Sequence, residues 1–508
     1  MRLKAEYAYI AIFALLSLLM LFNHEAWRDE AQGWLIARDS PSFFSVVQQM
    51  GREGTPGLWF YLAYPLAKSG LPFRAGQFAN VLVILCAAVV FIRCAPFPLY
   101  QRVLFIFGYY VLYEYGAITR TYGLSVLCIL AAAAFYKDRF KRPIAYSVPI
   151  LLLANTNVHG IILAAVLAGA YLFEAMASGE LRRARAVRIS LLIMALGLTL
   201  AMCQTISREA RADQWVGWHW ELSHLKIREL LYAIQLAFLP VSGPGVNFWG
   251  SVLVRYPACV FVAVPLAAAS VAALWGRRIP LAIYLCSSIG LLGLFWLKYP
   301  GARRHIGLIY MAWIFSLWAL ESGRESPSHA PRSLPGTVRA CLVTLLLSLQ
   351  LAGSAQAVYY ELRHDFSPAR RVAGYLEEHG YLGDDVFIAA FPSTKAQAVA
   401  LYLPKPYSRI FQVECERFGS YTAHTKEFMR NQAALRIEDV VRRVDRGMQG
   451  GHYRAAVLIL SEKTDGDENF AGRYELIASF EEHIAEDERM YIYGLTSPPT
   501  EGGPPARP

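Results

Sequence analysis

Apolar stretches close to 20 residues long recur through the first 356 positions and then stop. They predict membrane spans over roughly 7–23, 74–93, 99–116, 121–136, 143–158, 160–177, 188–204, 251–275, 280–297, 305–320 and 338–356, about eleven helices. The segment 229–240 is apolar but short and reads as interfacial or re-entrant. Were it to cross, the count would turn even and the end of the chain would change sides. Between the first two spans, "DEAQGWLIAR" and "TPGLWFYLAYPLAKSG" carry aromatic and aliphatic residues at helical spacing, yet are too short or too polar to span. They predict helices lying in the membrane interface, with Trp and Tyr at headgroup level, roofing a cavity that opens to the bilayer.

Past the last span the texture changes. "SPARRVAGYLEEHGYLGDDVFIAA" reads as an N-capped amphipathic helix, a Gly turn and a buried strand. "AAVLILS" (455–461) reads as a core strand and "MYIYGL" (490–495) as an edge strand. Strands alternating with helices predict a small soluble α/β domain. The predicted organisation is a polytopic α-helical membrane domain over 1–356, an α/β domain over 357–497 and a disordered end over 498–508, without internal repeats.

Composition sharpens this division. Charged residues make up 17% of the chain, where a soluble enzyme would carry about a quarter. Residues 357–508 hold 18 Lys/Arg against 23 Asp/Glu, and the remainder holds 31 against 16. The soluble part is therefore acidic, which argues against a nucleic-acid partner, and the positive excess belongs to the membrane loops. "KDRFKR" (137–142), "RRARAVR" (182–188) and "GRR" (276–278) are dense in cations and should face the cytoplasm. Met1 then lies on the same side, in a bacterial inner (plasma) membrane, with the C-terminal domain extracytoplasmic. The first apolar run lacks a small-residue cleavage site after it and reads as a retained span. The eight cysteines are scattered, with no disulfide framework or zinc spacing.

This orientation gathers mixed chemistry on the outer face. Asp29 and Glu30 follow the first span within "NHEAWRDEAQGW". A carboxylate pair there is either a general base for an acceptor hydroxyl or a charged helix end marking the interface. Arg28, Arg120, Arg303, Arg304, His305 and His159 fall on the same side, where cations have no orienting role. They suit either a lipid-linked phosphate, which Arg grips bidentately, or headgroup contact by snorkelling. Glu114 and His159, at span ends, are substrate-cavity candidates, Glu114 with the alternative of pairing to Arg120. Asn155 and Asn157 read as helix caps or bridges. In "TISREARADQWVGWHWELSHLKI" three Trp accompany Asp213 and Glu221, second acids for the cavity. No P-loop, GxSxG, HExxH or GxGxxG motif occurs, so no cofactor or nucleotide chemistry is indicated.

One span, an Asp-Glu pair in a first outer loop with interfacial helices, many further spans and an outer soluble tail resemble the GT-C glycosyltransferases. The likeness is closer to the branch of protein O-mannosyltransferases and aminoarabinose transferases. "WRDEAQGW" resembles the acidic loop motif, "GTPGLWFYLAYPL" stands where that branch has a His-Pro segment, and "RTYGL" and "RRHIGL" resemble its later Arg-bearing span ends. The likeness covers roughly residues 1–320, and the tail has no clear counterpart in the best-known members. It implies a membrane enzyme moving a sugar from a polyprenyl-phosphate carrier to an acceptor hydroxyl, with inversion and without a catalytic metal. Asp29 would be the base, Glu30 would hold it or the acceptor, and the outer Arg and His residues would stabilise the phosphate leaving group. Because "GTPG" replaces the His-Pro, the substrate class stays open, and the acceptor could be glycan, lipid or protein. Two other readings compete: a transporter or lipid flippase with an outer charged gate, and a membrane scaffold whose tail binds a partner.

Overall fold

The structure, a computed structural model, describes residues 2–205, 220–323, 334–405, 408–451, 453–464 and 468–495. Among the described residues, six helices are long and apolar enough to cross a membrane: Leu3–Asn23, Arg74–Cys94, Val158–Ala177, Arg185–Thr205, Arg278–Leu297 and Gly336–Glu361. Tyr122–Phe135, Pro143–Ala154 and Val260–Leu274 are shorter apolar helices. At 1.5 Å per residue they fall short of the roughly 30 Å apolar core of a bilayer. Arg303–Ser322 is buried along almost its whole length, from Ile306 to Leu320. It forms the axis around which the other helices pack, with Trp313, Tyr310 and Trp318 in the main apolar core.

Two predicted spans are interrupted. The stretch 99–116 is a helix only over Leu99–Ile106, followed by a π-helical turn at Tyr110–Glu114. The stretch 251–275 is helical only from Val260. The short apolar segment forms the helix His224–Phe238. Near its start, Lys226 lies over the Trp296 ring at the end of Arg278–Leu297. At its other end Phe238 packs on Trp313 and Tyr310, well down the axial helix. The chain then turns back, and Arg303, at the head of that helix, binds Pro240 and Ser242. At the opposite end of the bundle a cavity of about 450 Å³ gathers Lys137, Arg139, Arg277 and Arg278, so two of the cation-rich loops share one face.

The C-terminal part carries a six-stranded sheet. Its strands are β1 (Val386–Phe391), β2 (Ile410–Gln412), β3 (Arg417–Gly419), β4 (Ala455–Leu460), β5 (Tyr474–Phe480) and β6 (Met490–Leu495), in the order β3-β2-β1-β4-β6-β5. β1 pairs in parallel with β2 and β4, and helices make the crossovers. The expectation of an edge strand at 490–495 is corrected: β6 lies between β4 and β5, and its first four residues are buried.

Where this sheet docks corrects a second expectation. The helix Arg28–Asp39 does not lie among lipids, for every residue from Glu30 to Ala37 is buried. Ala31 and Leu35 share an apolar core with Val372, Leu376 and Val399, so the helix packs into one face of the soluble domain. On its other side Trp34 meets the Phe73 ring edge to face and lies over Gly76, where even a Cβ would meet the indole at 2.9 Å. Exposed apolar side chains in this loop come instead from Phe43 and Phe44, on a further helix Phe43–Glu53, and from Leu62 on Leu58–Lys68. The C-terminal domain therefore packs against the segment 24–73.

Candidate active site

The link 24–28 leaves the first helix and is pinned residue by residue to distant parts of the chain. Glu25 accepts from the Phe366 backbone N–H at 2.9 Å and pairs with Arg370 at 3.1 Å. The Ala26 N–H donates to the Tyr402 hydroxyl at 2.7 Å, and the Arg28 N–H to the Glu488 carboxylate at 3.0 Å. These bonds aim the first turn of the helix Arg28–Asp39, which carries Asp29 and Glu30.

The two carboxylates face different surroundings. Asp29 is 28% exposed and meets three arginines: Arg120 and Arg304 on one oxygen, the latter at 3.3 Å, and Arg28 on the other at 3.7 Å. Burial pushes its carboxyl up, but Arg120, then Arg304 and Arg28, outweigh burial and hold it well below the usual carboxylate range. The same guanidiniums surround the Trp27 ring, Arg304 at 4.8 Å and Arg28 and Arg120 each at 5.5 Å from its centre. Arg304 Nε and Trp27 Nε1 are buried donors without a protein partner among the described residues. The site thus combines surplus positive charge, free donors and one accessible carboxylate. Arg28 is partly balanced from the soluble domain by Asp487, which also pairs with Lys395.

Glu30 is enclosed. It accepts from the Trp27 N–H at 2.9 Å, from the Thr119 N–H, and from His24 Nε2 at 3.0 Å. The other nitrogen of His24 meets Glu361 at 2.7 Å, and Glu361 also accepts from the Tyr113 hydroxyl at 2.7 Å. Both ring nitrogens face carboxylate oxygens, an arrangement that favours an imidazolium donating to both. Burial works against that charge, but the paired Glu30 and Glu361 override it and raise the pKa of His24 well above its ordinary value.

The remaining candidates separate. Arg303 does not point to Asp29: its guanidinium is taken up by the Pro240 carbonyl at 2.9 Å, the Ser242 hydroxyl at 2.7 Å and the Ser251 carbonyl. Adjacent helical residues diverge by about 100°, so Arg303 and Arg304 serve different neighbours. His305 stacks on His159 with ring centres 4.3 Å apart, and His159 Nε2 lies 3.1 Å from the Tyr299 hydroxyl. The pair adjoins Tyr122, whose ring lies 5.8 Å from the Arg120 guanidinium. Glu114 pairs with the Tyr109 hydroxyl at 2.8 Å and Trp249 Nε1 at 2.9 Å, and Arg120 instead goes to Asp29. Asn157 caps the helix Val158–Ala177 through the Gly160 N–H, and Asn155 bridges to the Gly197 carbonyl. Glu221 is exposed, and Asp213 lies outside the described residues. Among the described residues no group of three or more His, Cys, Asp or Glu could hold a metal ion. Sequence reasoning passed over His24, Trp27, Tyr113, Thr119 and Glu361. Only "NHE", a His between the first span and the acids, offered a signal.

The helical bundle with its docked α/β domain defines the class by fold: it is the GT-C fold. The sequence matches no protein-family model and no curated protein. The likeness is to ArnT from Cupriavidus metallidurans, in its crystal structure bound to undecaprenyl phosphate, with TM-score 0.52, 12% identity and coverage of 96% of this chain and 97% of that one. Its apo crystal structure aligns with TM-score 0.46, 12% identity and coverage of 96% and 98%. Coverage of 96% leaves too little unmatched to omit residues 357–508, so the soluble tail does have a structural counterpart. The expectation that the likeness ends near residue 320 is corrected accordingly.

Proposed function

We propose that the protein is an integral membrane glycosyltransferase that moves a sugar from a polyprenyl-phosphate carrier to an acceptor hydroxyl, with inversion. The observation that carries this reading is Asp29, an accessible carboxylate held by Arg120 and Arg304. Support for the donor class comes from the undecaprenyl phosphate bound by ArnT. Support for an outer-face site comes from the cation-rich loops at the opposite end of the bundle.

In this mechanism the donor phosphate enters between the arginines and takes their guanidiniums, which prefer its bidentate geometry. Asp29, relieved of its countercharges, becomes a better base. It accepts the acceptor's hydroxyl proton as that oxygen bonds to the anomeric carbon from the face opposite the phosphate. The bond from carbon to phosphate oxygen breaks, and its electron pair leaves with the carrier, which gains one negative charge. Arg120 and Arg304 meet that charge as it develops. Arg28 flanks the site, Glu30 holds the backbone that carries Arg120, and the His159–His305 pair lines the adjoining wall.

The test is transfer in membranes supplied with labelled polyprenyl-phosphate sugars. Wild type should transfer, and Asp29→Asn should lose roughly 10²–10⁴-fold. Equal rates in both would remove Asp29 as the base, and no transfer by wild type with any donor and acceptor would remove the function.

A further inference from the structure

The buried link between His24, Glu30 and Glu361 joins three regions of the chain that meet only in the folded protein. His24 follows the first span, Glu361 ends the last helix and leads into the soluble domain, and Tyr113 and Thr119 flank the turn before Arg120. His24 and Glu361 side chains are fully enclosed, and the Phe366 ring covers the imidazolium at 4.6 Å between centres. A buried ion cluster is costly beside an apolar replacement, so its presence asks for a role other than adhesion. The neighbouring pins at Glu25, Ala26 and Arg28 already fasten this link to the soluble domain.

The direction of the bonds supplies that role. Glu361 and Glu30 grip the imidazolium from either side, and the far oxygen of Glu30 takes the Thr119 N–H. Thr119 precedes Arg120, whose guanidinium lies on Asp29. We infer that His24 and Glu361 are positioning residues: acting through Glu30, they set the Thr119–Arg120 backbone and so aim Arg120 at the phosphate and Asp29. This rests on the proposed function, because it takes Arg120 as a phosphate ligand. It makes the end of the last membrane helix, and with it the seating of the soluble domain, a condition for an ordered phosphate site.

The experiment reads binding of undecaprenyl phosphate to the full-length protein in detergent, with no transfer required. Glu361→Gln keeps the shape and removes the charge, and Tyr113→Phe is a milder change that removes one bond to Glu361. Glu361→Gln should weaken binding about tenfold, and Tyr113→Phe less, in the direction expected for loss of a charge-assisted bond. In an Arg120→Ala background the same changes should shift the affinity less than about twofold, because nothing remains to be aimed. Equal losses with and without Arg120 would make the cluster ordinary structural glue and overturn the inference. Unchanged binding in both single variants would do the same. Wild type that fails to bind undecaprenyl phosphate would instead strike the proposed function itself, before any variant is compared.

Discussion

Replacing Asp29 with Asn should move two observables in opposite directions. In the free protein the Asp29 carboxylate neutralises part of the charge of Arg120 and Arg304, so it competes with an incoming phosphate for the same guanidiniums. Unit charges about 4 Å apart interact by roughly 4 kcal/mol at the effective dielectric of a protein surface. Asp29 is 28% exposed, so solvent screening reduces this. The amide keeps a carbonyl for the arginines, and removal of the charge alone should release about 1–2 kcal/mol of competition, or roughly 5–30-fold tighter phosphate binding. Transfer should meanwhile collapse, because Asn cannot take a proton. Titrating undecaprenyl phosphate into both purified proteins, beside the transfer assay, reads the two together. Binding that fails to tighten in a normally folded Asp29→Asn protein would refute the competition, and unchanged affinity would place the phosphate away from Arg120 and Arg304.

Arg303→Ala should cost stability and leave recognition alone: losing its bonds to Pro240 and Ser242 should remove on the order of 3 kcal/mol. A melting curve should fall while undecaprenyl phosphate affinity stays within about twofold, and Arg304→Ala should do the reverse; the opposite pattern would move Arg303 into the site. Burial pushes the Glu488 carboxyl up to about 7, with Arg28 acting against it. Its protonated form is favoured in the fold, so its contribution is complete below about pH 4.5, falls as pH rises and is gone above about 7, on the order of 3 kcal/mol in all. Glu488→Gln should flatten that part of the stability profile in thermal unfolding, and an unaltered slope would assign it to another group. Cysteines placed at Gln48 and Glu475, both exposed, should react alike with an impermeant thiol reagent in whole cells. Labelling of only one would separate the soluble domain from the first loop.

Much of the bundle is legible from the chain because a lipid-facing helix must be apolar over its whole length, whatever it packs against. The helix around 229–240 is legible for the same reason, its apolar run being shorter than those of the long helices. Asp29 stands out because a carboxylate pair directly after a span is unusual on local grounds alone. What local reasoning misses is pairing at a distance. Nothing near "RRHIG" says that Arg303 belongs to backbone carbonyls some 50 to 60 residues earlier and Arg304 to a carboxylate 275 residues earlier. Nothing in "DEAQGWLIAR" distinguishes a lipid-facing amphipathic helix from one whose apolar face is a soluble sheet, since both need the same spacing. β6 reads as an edge strand because its alternation with Tyr suits an exposed face, until β5 covers it.

The clasp between the first loop and the last helix also bears on how the chain is made. His24 emerges from the ribosome early, and its partner Glu361 lies 337 residues later. At about 5–20 residues per second, roughly 17–70 seconds of synthesis separate the two. During that interval the acids at 25, 29 and 30 stand at the membrane surface without the soluble domain above them. On the proposed function, the partly made protein would carry Asp29 but lack the groups that seat it, and would reach the bilayer disarmed. Activity would then await synthesis of Glu361 and the domain that follows it, and products truncated before Glu361 would be inert toward lipid carriers.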